Sequence, residues 1–186
     1  MEAGTAAFMA GKINEALRHW DQQIAENPTI RPQHWQRGLA LYYAGKFKEG
    51  RAQFEEHQTV NSQDVENAVW HFLCVSRMES SAAARKVFIP ITHDSRVPLK
   101  EVHALYAGSG TAEAVLAAAE KPATGDTLRN QRCYAHLYLG LYYEALSDTA
   151  KAKVHLTKAA GEFRMEHYMG KVAQVHCRLR GWDVPP

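Results

Sequence analysis

Small and large apolar positions return along this chain at a spacing of 34 residues. Gly4, Gly11, Ile13, Ala16, Trp20 and Pro28 are followed, each 34 positions later, by Gly38, Gly45, Phe47, Gly50, Phe54 and Ser62. Each period places a small residue where two antiparallel helices must touch, a glycine at the turn between them, and large apolar residues on one stripe of the second helix. The pattern predicts a first helical hairpin over residues 4–25, with Gly11-Lys12 as its turn and Asn27-Pro28 as its stop. Asn-Pro suits that stop because the residue before proline is pushed out of the helical region. The second hairpin pairs residues 33–44 with 47–58 and carries the pattern most fully, in Arg37-Gly38-Leu39-Ala40-Leu41-Tyr42-Tyr43-Ala44-Gly45.

The third unit, residues 65–77 and 81–88, keeps phase through Ala84 and Phe88, 34 after Gly50 and Phe54, but sets Phe72 where the crossing glycine belongs. The fourth, residues 98–107 and 111–119, is shortened, with Gly108-Ser109-Gly110 as connection and Thr111 as N-cap ahead of Glu113 in the first turn. Residues 121–126, rich in Pro, Gly and Thr, read as a loop. The pattern returns in Tyr138-Leu139-Gly140-Leu141-Tyr142-Tyr143, with Ala152, Leu156 and Ala159 on the following helix; Gly140 lies 102 residues, three periods, after Gly38. A last amphipathic helix over residues 165–179, with Tyr168, Val172, Val175 and Leu179 on one stripe, would cover the end of the stack. The expected fold is all-α: a single domain over residues 1–186, built as a right-handed α-solenoid of about five hairpins with a C-terminal capping helix.

The residues that carry this period resemble the tetratricopeptide repeat family. More narrowly, they resemble the repeat region of bacterial NlpI-type lipoproteins, in the R-G-x-A-L-Y-Y-x-G segment from Arg37 to Gly45, the W-x-x-L from Trp70 to Leu73 and the Y-L-G-x-Y-Y from Tyr138 to Tyr143. The stretch from Asn67 to Cys74, the run from Asp94 to Pro98 and Val175-His176-Cys177 also look like uncharacterised repeat proteins of plants and algae. The lipoproteins are adaptors that bring a periplasmic protease to its substrates, so the resemblance implies an adaptor role. The chain departs from them in having no lipobox and in lacking their extra N-terminal repeats.

Composition narrows the class. The 22 Lys and Arg against 20 Asp and Glu are scattered in ones and twos, so nothing marks a nucleic-acid or membrane binder. No apolar run is long enough to span a bilayer, and no lipidation cysteine follows the N-terminus, so a soluble chain is expected. Cys74, Cys133 and Cys177 are odd in number and widely spaced, which argues against a disulfide framework and for a reducing compartment, cytoplasmic or soluble within an organelle.

If first helices turn inward, Trp35, Leu39, Tyr42 and Tyr43, then Trp70 and Leu73, then Leu137, Leu141 and Glu144 face or flank a groove. Such a surface suits a peptide or amphipathic helix of another protein, bound without cofactor. The same aromatics could instead be packing between repeats, their N–H and O–H groups satisfied internally. A permanent structural subunit of a larger assembly is the alternative to an adaptor, and self-association through an end repeat is a further option. Trp35 and Leu39 stand where one tetratricopeptide subclass has the Lys and Asn of its carboxylate clamp, so that clamp is not expected. His71 and Cys74, one helical turn apart, and His176-Cys177 lack zinc-finger spacing, and no nucleophile elbow or phosphate loop occurs; neither a metal site nor catalysis is expected.

Overall fold

The computed structural model describes residues 2–184. Among these the secondary structure is entirely helical: α1 (Glu2–Met9), α2 (Ile13–Glu26), α3 (Trp35–Tyr43), α4 (Phe47–His57), α5 (Val65–Met78), α6 (Ser81–Lys86), α7 (Leu99–Ala107), α8 (Ala112–Ala119), α9 (Gly125–Ala145), α10 (Thr149–Ala160) and α11 (Tyr168–Arg180), with a 3-10 segment at Pro28–Gln33. Consecutive helices pack as pairs, α1 with α2 through α9 with α10, and α11 packs on α10 and α9. None of the described helices is long and apolar enough to cross a membrane.

Three hairpins close with the same turn. Gly11 N–H donates to the Phe8 carbonyl and Lys12 N–H to that of Ala7; Gly45 and Lys46 repeat this with Tyr42 and Leu41; Ser147 and Asp148 repeat it with Glu144 and Tyr143. These paired bonds satisfy the last carbonyls of the first helix and require a left-handed residue. The φ values are +78° at Gly11, +74° at Gly45 and +62° at Ser147. Ser147 therefore holds the turn position of the fifth hairpin, three periods after Gly45, without being glycine.

The helix crossings repeat as well. A Cβ built on Gly4 would lie 2.5 Å from Trp20 Nε1, one on Gly38 2.6 Å from Phe54 Cζ, and one on Gly140 2.5 Å from Leu156 Cγ. In every case the glycine and the large residue stand at the same two phases of the period. The third hairpin fills both phases with rings, Phe72 and Phe88, whose centroids are 5.8 Å apart in an edge-on arrangement. In the fourth, the crossing phase falls on Tyr106, fully buried, whose hydroxyl donates to the Tyr138 carbonyl at 2.8 Å.

By its internal contacts the chain divides into two compact units, with the boundary between Asp94 and Ser95. The first contains α1–α6. Its 3-10 segment is tied down by Gln53 Nε2 donating to the Arg31 carbonyl at 2.7 Å and by His57 Nδ1, 2.8 Å from the Pro32 carbonyl. The irregular stretch after α6 returns to the start of α5, where the Gln63 side-chain oxygen accepts from Thr92 and His93 N–H and Asp94 accepts from Val65 N–H. The second unit contains α7–α11. Thr111 caps α8 as expected, accepting from Ala114 N–H at 3.1 Å.

Several boundaries differ from the sequence reading. Helix α6 ends at Lys86, so Phe88 packs from beyond the helix. Helix α9 begins at Gly125, inside the stretch read as a loop, and runs 21 residues, with Thr124 as its cap residue. Helix α11 starts at Tyr168 and not at residue 165, and Leu179 lies outside the buried stripe at 36% exposure.

Candidate partner-binding surface

In the first unit the groove candidates form an aromatic cluster. Tyr42 stands edge-on to Tyr43, to Phe47 and to Trp70, with centroids at 5.4, 5.6 and 5.4 Å. Tyr43 reaches Trp70 at 5.9 Å and Phe8 at 6.0 Å. The rings thus link α1, α3 and α5, the first helices of three successive hairpins. This contact consumes most of their surface. Leu39, Tyr42, Trp70 and Leu73 are at most 3% exposed, so they hold hairpins together and offer no area to a partner in this conformation. Trp35 and Tyr43 are half-buried and keep accessible surface. Helix α3 positions both, since residues eight apart lie within about 80° of each other on a helix of 3.6 residues per turn.

In the second unit Leu137 and Leu141 are fully buried. Glu144, expected at the groove, is turned inward with 11% of its side chain exposed; Arg180 Nε donates to it at 2.6 Å and His176 Nε2 lies 3.4 Å away. Burial alone would raise the Glu144 carboxyl, but the bonds and charges of His176 and Arg180 outweigh it and bring it down to about 2. His176, wholly enclosed and tilted against Trp182 with centroids 5.7 Å apart, is pushed below the usual imidazole range by burial. The trio fastens the last helix to the end of α9. Tyr142 of α9 meets Tyr106 of α7 at 5.2 Å, the counterpart of the ring contact between α3 and α5.

One arrangement was not anticipated from sequence. Arg132 lies 5.7 Å above the Phe163 ring, Phe163 stacks on His136 at 5.1 Å, His136 meets His155 at 5.0 Å, His155 stacks on Tyr143 at 5.5 Å, and Lys151 lies 5.0 Å above Tyr143. The result is a column of four rings with a cation at each end, built from α9, α10 and the loop after α10. The two histidines meet through their Nδ1 atoms at 2.9 Å. Burial, then the charges of His155 and Lys158, push His136 down to about 4. The available sequence signal was the helical spacing of Arg132, His136 and Tyr143 and of Lys151 and His155, each set on one face of its helix.

His71 and Cys74 are engaged elsewhere: His71 Nε2 lies 3.2 Å from Glu55, and the Cys74 thiol, which burial pushes up, is fully enclosed against the Gly50 crossing. The Cys177 thiol is pushed up by burial to about 11. Among the described residues no group of three or more His, Cys, Asp or Glu is arranged to hold a metal. The described residues include an open cleft of 510 Å³ beside Gln23, Ile30 and His34 and a second of 860 Å³ between Arg129, Arg164, Arg178 and Trp182. The second is electrically mixed, since Glu162, Glu166 and Asp183 share its wall. No known protein-family model matches the chain.

Proposed function

We propose that this protein is a non-catalytic interaction scaffold of the tetratricopeptide type, an adaptor that binds a peptide or helical segment of another protein. The observation that supports this most is the threefold recurrence of one hairpin closure and one glycine-against-large-residue crossing in the 34-residue register. Repeats of that kind stack neighbouring hairpins and create extended surfaces, and their use is recognition. The accessible aromatic residues of α3, Trp35 and Tyr43, are the place where such recognition would concentrate, because binding energy gathers in large rings with polar tips.

The test uses the full chain as bait in extract from its native source, with wild type, Trp35→Ala and Lys153→Ala compared quantitatively. Loss of a partner with Trp35→Ala, by about 2 kcal/mol or roughly 30-fold in affinity, and its retention with Lys153→Ala would support the adaptor. Equal recovery of every protein by all three baits would refute the assignment to α3. The size of the native species separates this from a permanent structural subunit: recovery only in a large, non-exchanging particle favours the subunit.

A further inference from the structure

The His136–His155 pair brings two imidazoles from different helices, α9 and α10, into contact. Their Nδ1 atoms are 2.9 Å apart, too close for both to carry a proton, so one donates and the other offers its lone pair. Two imidazole nitrogens bound at about 2.1 Å to one ion, at a right angle, stand about 3.0 Å apart; tetrahedral bonding would need about 3.4 Å. The observed separation therefore matches neighbouring positions of tetragonal or octahedral coordination, the geometry favoured by copper(II) and nickel(II).

The surroundings hold both rings in place. Phe163 supports His136 on one side and Tyr143 supports His155 on the other, at 5.1 and 5.5 Å. His136 is 9% exposed, whereas His155 is only half-buried, so the pair has a wet side from which an ion and its remaining waters can enter. Among neighbouring charges, Lys158 opposes a cation and Glu120 favours one. We propose that His136 and His155 form a two-point binding site for a divalent transition-metal ion, copper(II) or nickel(II): the Nδ1 proton held between the rings shifts to the Nε2 of the ring that carries it, and both neutral imidazoles then bind the ion through their Nδ1 lone pairs. The remaining positions of the ion are filled by water.

The experiment titrates metal-free full-length protein with copper(II) chloride, reading paramagnetic resonance for nitrogen ligands and calorimetry for affinity. Wild type is expected to bind one equivalent with the signature of two imidazole nitrogens. His155→Gln and His136→Gln should each lose at least tenfold in affinity and fall to at most one nitrogen. Lys158→Ala, which leaves both ligands in place, should bind several-fold more tightly because it removes a nearby positive charge; this arm stands even if His136→Gln does not fold. Copper binding of unchanged strength and ligand number in His155→Gln would overturn the site, assigning the ion to the other histidines. Absence of nitrogen coupling in wild type would overturn it equally, and so would Lys158→Ala binding no tighter than wild type.

Discussion

The tightest contact in the second hairpin makes a prediction of unusual sign. Gly38 lies inside α3, where replacing glycine by alanine normally stabilises a helix by about 1 kcal/mol. A Cβ there would sit 2.6, 2.7 and 3.1 Å from Phe54 Cζ, Cε1 and Cε2, the far edge of a ring that is 1% exposed. Overpacking of this kind costs about 1 to 3 kcal/mol, so Gly38→Ala alone is expected to range from neutral to about 2 kcal/mol destabilising. Phe54→Leu deletes all three atoms of the clash. In that background Gly38→Ala should become stabilising, by up to about 1 kcal/mol, giving a coupling energy of about 1 to 3 kcal/mol between the two sites. Urea unfolding followed by far-ultraviolet circular dichroism measures all four corners of the cycle. Gly45→Ala is the control: its φ is +74° with nothing within 4 Å of the new carbon, so it should cost about 1 to 2 kcal/mol in both backgrounds from backbone strain alone. Additivity of Gly38→Ala and Phe54→Leu within about 0.3 kcal/mol would show that α3 and α4 do not cross on these residues.

Ser147→Gly should raise stability by about 0.5 to 1 kcal/mol, since it relieves a non-glycine residue held at φ +62° and the relief exceeds the added freedom of the unfolded chain; a melting temperature that fails to rise refutes the turn assignment. Stability should also fall on acidification. His71 and His176 are both depressed first of all by burial, so the unfolded chain binds more protons below its imidazole pKa near 6.5; stability is complete above that value and is lost as pH falls, by up to about 1.4 kcal/mol per pH unit for each group. Glu144, held at about 2, adds a second loss only below its ordinary value of 4.5. Equal urea midpoints at pH 5 and pH 7.5 would rule out neutral burial of these imidazoles.

Hairpins were legible wherever they follow one period, because glycine, turn and large residue each leave a mark of their own. Gly11, Gly45, Gly38 and Gly140 sit in the structure at the turns and crossings their spacing implied. Where side-chain identity departs from the period while the backbone does not, sequence gave no warning. Ser147 adopts the turn geometry of a glycine, and Tyr106 occupies a crossing phase through a hydroxyl bond to the Tyr138 carbonyl. The loop reading of residues 121–126 rested on Pro, Gly and Thr, but Gly125 is the first residue of α9 and the breakers lie just ahead of it. Helix-start chemistry and loop chemistry draw on the same residues.

Surface was less legible than fold for a reason that concerns geometry rather than composition. Helical spacing says which residues share a face; it does not say which neighbour covers that face. Trp35, Leu39, Tyr42 and Tyr43 all belong to α3, yet Leu39 and Tyr42 are sealed while Trp35 and Tyr43 keep part of their area. The rings that meet them come from other hairpins: Trp70 of α5 stands edge-on to Tyr42 at 5.4 Å and to Tyr43 at 5.9 Å, and Phe8 of α1 lies 6.0 Å from Tyr43. Glu144 shows the same dependence, since its inward orientation requires Arg180 and His176, which lie 36 and 32 residues away on a helix from the next period. Each hairpin's turn and crossing are local, but within a unit the exposure of its residues also depends on the helices of the neighbouring hairpin. Exposure on α3 is therefore set by pairs of hairpins: Tyr42, which meets Trp70 of α5, is 3% exposed, while Trp35 on the same helix keeps part of its area.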